Sequence, residues 1–95
     1  MSRLLFSPRA EQDLDDILAY IARDKPLAAV RFVEKLRDTC RLLAENPELG
    51  ERREDFGRGL RCFSVGNYAI VYRCGPECVE IARVASGHRD IHALF

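Results

Sequence analysis

Tryptophan is absent, the only methionine is Met1, and aromatic residues make up 8% of the 95-residue chain. No platform of stacking rings for single-stranded nucleic acid is therefore evident. Net charge is missing too, because 15 Lys plus Arg balance 15 Asp plus Glu. Whole-chain charge gives no reason for non-specific attraction to DNA or to an acidic membrane. A partner must be recognised locally, and direct DNA binding by the chain alone is not expected. Long apolar runs are lacking: Leu18 to Ala22 and Tyr68 to Tyr72 fall far short of the roughly 20 residues that span a bilayer. Met1 to Arg9 carries no apolar region of the signal-peptide kind. No membrane role and a cytoplasmic location are the expectations. In that reducing compartment Cys40, Cys62, Cys74 and Cys78 are expected as thiols and not as disulfides. The chain also has no glycine-rich phosphate loop, no nucleophile elbow and no paired-carboxylate motif that stands out, and no cofactor is expected.

What is present is a globular composition, 47% hydrophobic and 32% charged, in a length that builds one core, so residues 1–95 read as a single domain. Arg3 to Phe6 reads as a short strand, followed by Ser7 as an N-cap and Pro8 at the first helical position. Ala10, Leu14, Ile17, Leu18 and Ile21 then form one stripe of an amphipathic helix over about Pro8 to Arg23. Acids crowd its first half, where they interact well with the helix dipole. After Asp24-Lys25-Pro26 the same spacing returns at Ala29, Phe32, Val33, Leu36, Cys40 and Leu43, predicting a second helix from about Pro26 to Glu45 that ends at Asn46-Pro47.

Pro47 to Gly59 has no periodicity and reads as a solvated loop. Leu60 to Val65, Gly66-Asn67 and Tyr68 to Arg73 form a hairpin signature. A two-residue loop pairs Val65 with Tyr68, Phe63 with Ile70 and Arg61 with Tyr72 on one face, and Cys62 with Val71 on the other. Cys78 to Val84 is a third strand. The order β-α-α-β-β-β predicts an α+β fold, a helical hairpin packed on one face of a small, mainly antiparallel sheet. Apolar side chains alternate on both sheet faces, which leaves open which face the helices cover.

Cys74-x3-Cys78-x9-His88-x3-His92 has the ligand types of a zinc site. Zinc needs its donors within about 2.3 Å of one point, whereas a strand from Cys78 to Val84 carries the chain about 20 Å away. Two unrelated thiols and two surface histidines are the plainer reading, and no metal site is expected. His88 and His92 have the imidazole needed for acid-base chemistry near neutrality. Arg61, Arg73, Arg83 and Arg89 have the chemistry to hold phosphate or an acidic partner segment, and no lysine follows Lys35.

Ala10-x3-Leu14-x2-Ile17-x2-Tyr20-Ile21-Ala22, then Pro26-x2-Ala29-x2-Phe32, then Asn46-Pro47-x2-Gly50 resemble the helical half of the ParE toxins of the RelE/ParE superfamily. Gly59-Leu60-Arg61, Tyr68-x-Ile70-x-Tyr72-Arg73, Val79-x-Ile81-x-Arg83-Val84 and Gly87-x-Arg89-Asp90-Ile91-x2-Leu94-Phe95 resemble the second half in order and spacing. The resemblance implies a toxin of a type II toxin-antitoxin pair, in a hetero-oligomer with a cognate ParD-like antitoxin that neutralises it by direct binding. It also implies DNA gyrase as the target, with DNA breaks and growth arrest as the result. The RelE branch of the same superfamily cleaves messenger RNA on the ribosome. This chain has no tyrosine after Tyr72 and no lysine-rich loop, which favours the gyrase branch, with no catalytic residue. The RNase alternative would draw on Arg61, Arg83 and His88. Under the gyrase reading Arg61, Arg73 and Arg83 are expected to meet an acidic antitoxin segment. The terminal His88, Arg89, Asp90, Ile91, Leu94 and Phe95 are expected to contact the target.

Overall fold

The computed structural model describes residues 3–86. The elements are β1 (Arg3–Phe6), α1 (Pro8–Ala22), α2 (Pro26–Glu45), a single 3-10 turn (Pro47–Leu49), β2 (Glu51–Arg52), β3 (Leu60–Val65), β4 (Tyr68–Cys74) and β5 (Cys78–Ser86). The α+β reading holds: two helices pack on a five-stranded, mostly antiparallel sheet of order β1-β5-β4-β3-β2. Among the described residues the one parallel pair is β1 with β5.

Local chemistry accounts for the helix starts and the hairpin turn. The Ser7 hydroxyl accepts from the Ala10 N–H and caps α1, and proline occupies the first turn of both helices, where its missing N–H costs nothing. The hairpin register is the expected one, Val65 with Tyr68 through Leu60 with Arg73. Gly66 takes a φ of +58° at the first turn position, as a type II′ turn requires. The third strand runs two residues beyond the expected Val84, to Ser86.

The open question of the sheet faces is resolved by the core. Ala10, Leu14 and Ile17 of α1 and Leu36, Cys40, Leu43 and Ala44 of α2 pack on Val65, Ile70, Tyr72, Val79, Ile81 and Val84. A second cluster of Phe56, Leu60, Ala69 and Val71 occupies the opposite face. Phe56, 6% exposed, is drawn from the stretch expected to be a solvated loop. That expectation is corrected here: Pro47 to Gly59 contains the 3-10 turn, β2 paired to β3 and a buried aromatic. Arg53 holds the loop, with its guanidinium 4.0 Å from the Phe56 ring centroid and paired to Asp55.

Candidate interface

The three arginines expected to meet an acidic partner segment stand in three different surroundings. Arg61 is half-buried and donates to the Gly50 carbonyl at 2.7 Å. Beside it the buried Tyr72 hydroxyl donates to the Pro47 carbonyl at 2.8 Å and accepts from the Gly50 N–H at 2.7 Å. Burial raises the Tyr72 pKa while the Gly50 N–H opposes the rise, so the phenol stays neutral at physiological pH. Arg61 and Tyr72 thus fasten the chain after α2 onto the sheet.

Arg83 is turned to α1. Val71 faces Arg83 and Tyr72 faces Ile81, so Ala82 is the extra residue of a bulge, which re-aims the side chains around it. Arg83 donates from Nε and its terminal nitrogen to both Asp13 carboxylate oxygens, at 2.8 and 3.0 Å. The Val84 N–H also donates to Asp13, at 2.9 Å. The side chains of Arg83 and Asp13 are 17% and 14% exposed, and the hydrogen bonds that Arg83 donates to Asp13 raise the Arg83 pKa above its ordinary value. This fork-to-fork pair fixes both partners in one geometry.

Arg73 is the exposed member of the three. Its guanidinium donates only long bonds, 3.3 and 3.4 Å, to the Arg58 carbonyl. In β-pairing it lies opposite Leu60 and Glu80, on the face that carries Phe56. His88, Arg89, Asp90, Ile91, Leu94 and Phe95 lie outside the described residues.

Among the described residues no group of three or more His, Cys, Asp or Glu is placed to hold a metal ion. The Cys74 thiol faces the Pro47 carbonyl, while the Cys78 sulfur lies over Gly75. His88 and His92 lie outside the described residues. Desolvation raises the thiol pKa of Cys40, Cys62 and Cys74, the opposite of what an activated nucleophile needs.

Two features escaped sequence reasoning. Asp13 flanks the apolar stripe of α1, a position from which a carboxylate reaches into a half-buried site, but its partner is 70 residues away. The helical hairpin also exposes apolar surface: Tyr20 is 68% and Leu27 75% exposed. Ile21, Ala28 and Phe32 line an open groove of about 520 Å³ rimmed by Arg31 and Lys35. The apolar spacing of each helix points to its inward stripe and carries no signal for this outer surface.

Comparison with known proteins places this geometry in a context. Residues 4–91 match the family model described as ParE toxin of type II toxin-antitoxin system, parDE. Toxin ParE1 of Caulobacter vibrioides is 34% identical over 88 residues, covering 92% of this chain and 88% of that one. Toxin RelE3 of the same organism is 31% identical over 85 residues, covering 88% and 92%. Among solved structures, the chromosomal ParDE toxin-antitoxin system from P. aeruginosa aligns with a TM-score of 0.79 at 20% identity, over 90% of this chain and 96% of that one. The toxin-antitoxin complex RelBE2 from Mycobacterium tuberculosis aligns with a TM-score of 0.67 at 23% identity, over the same shares. These two share the fold.

Proposed function

Because the chain belongs to the ParE toxin family of type II toxin-antitoxin systems, we propose that it arrests growth by binding DNA gyrase and not by cutting RNA, and that an antitoxin neutralises it by direct binding. The observation that carries this reading is the engagement of the arginines. An RNase mechanism would draw on Arg61 and Arg83 to hold a phosphodiester. Arg61 is bonded to the Gly50 carbonyl, and Arg83 is forked onto Asp13. Freeing Arg83 would leave a half-buried carboxylate without its charge partner, which is costly. A poison needs no such groups; it needs a surface with higher affinity for one state of its target, since only differential affinity shifts an equilibrium.

Gyrase acts inside the cell, so this reading places the toxin in the cytoplasm; among the described residues no helix is long and apolar enough to cross a membrane. Arg73 is the arginine with freedom to meet an acidic antitoxin segment, and the terminal residues His88 to Phe95 supply the target contact. Induced expression in a bacterium tests the proposal. The expected outcome is growth arrest with a DNA-damage response while pulse-labelled protein synthesis continues, all relieved by co-expressed antitoxin. Immediate loss of translation with no DNA damage supports the RNase alternative instead, and an absence of toxicity marks an inactive relative.

A further inference from the structure

The inward stripe of α2 builds the core, and its outward face has a pattern of its own. Leu27, Arg31, Glu34, Lys35, Asp38 and Leu42 are all exposed, and at 100° per residue they fall in one arc of about 100°. Leu27 is 75% and Leu42 46% exposed, so an apolar side chain stands in solvent at each end of this arc. Among the described residues Arg31, Glu34 and Lys35 have no ion-pair partner, and Asp38 has only Arg41 one turn along the same helix.

These six positions are symmetric about the midpoint between Glu34 and Lys35. Leu27 mirrors Leu42, Arg31 mirrors Asp38, and Glu34 mirrors Lys35. Two identical helices that pack antiparallel about a two-fold axis bring mirrored positions to the same level, and a self-complementary patch is what such an axis requires. Leucine then meets leucine at both ends of the contact, and Arg31 meets a carboxylate on the level inside each end. At the centre, Glu34 and Lys35 of the two copies form a neutral quartet.

We propose that the outward face of α2 is a docking surface for a second copy of this chain. Asp38 reaches the partner's Arg31 at small cost, because its exposed pair with Arg41 is worth little. The contact spans about 22 Å of helix. One helix per side gives an interface at the small end of specific complexes, so the self-association is weak, in the micromolar class. The face is on the helical layer, away from the sheet face that carries Arg73, and the proposal stands whichever target the toxin has.

Sedimentation equilibrium of the full-length chain at increasing concentration tests it, with circular dichroism confirming the helical content of each variant. The parent is expected to form a dimer that weakens with salt. R31D and D38R each set like charges opposite one another and are expected to weaken the dimer at least tenfold. The double variant R31D/D38R exchanges the two charges and is expected to recover it. A parent that stays monomeric at every concentration overturns the proposal, as does a folded double variant no better than the folded singles. If the parent is monomeric and L27S and L42S instead weaken antitoxin binding, the face belongs to the antitoxin and the proposal also fails.

Discussion

Gly50 carries more of the architecture than its size suggests. A Cβ added there would stand 2.2 Å from the Tyr72 hydroxyl and 2.6 Å from its ring, both fixed in the core, so the neighbour has nowhere to go. Gly50→Ala is expected to cost about 1–3 kcal/mol by overpacking, read as a lower urea midpoint. Tyr72→Phe keeps the ring but strands the buried Gly50 N–H, for a loss of about 1–3 kcal/mol. Buried acids also set an alkaline limit. Burial pushes the Cys40 thiol from an ordinary 9.0 up to about 12 and raises Tyr72. Groups raised in the folded state contribute fully below their unfolded values and lose that contribution as pH rises toward the folded ones. Stability is therefore expected to fall above about pH 9, and by less in Cys40→Ala; chemical denaturation across that range checks it. Arg83→Ala leaves Asp13 without its charge partner and is expected to lose about 3 kcal/mol. Arg73→Ala should leave the melting temperature within about 4 °C, as surface substitutions do, and weaken antitoxin binding measured by calorimetry.

At the scale of elements, the decisive junction is where β1 stops. β1 pairs with β5 only as far as Phe6 with Ile81, and α1 takes over from there. The Ser7 hydroxyl donates to the Ala82 carbonyl at 2.8 Å, and the Val84 N–H donates to Asp13. Side chains from the first helical turns thus continue the cover of the β5 edge. Ser7→Ala removes both the helix cap and this tie, and is expected to cost about 1–2 kcal/mol, measured by thermal unfolding. The helices, the hairpin and its register were legible in the sequence because each follows from a local code: apolar spacing, a proline-bounded start, a two-residue turn. β2 and the burial of Phe56 were not legible. Their order comes from Tyr72, Arg61 and the second sheet face, which are distant in the chain and leave no periodicity between Pro47 and Gly59.

The same division appears across the whole molecule. Residue types that recognise anions were visible in the sequence, but their grouping was not, because strand parity and the bulge at Ala82 decide which way each arginine points. Arg61 and Arg83 are bonded within the fold, and Arg73 stays exposed. With Arg61 and Arg83 engaged inside the fold, toxicity is expected to arise from binding. A gyrase assay with the purified chain, run beside a ribosome assay on messenger RNA at the same concentrations, tests that claim most directly. Supercoiling is expected to be inhibited, with gyrase-bound broken DNA that antitoxin prevents, while messenger RNA stays intact. Rapid messenger RNA cleavage on the ribosome with supercoiling untouched would contradict it.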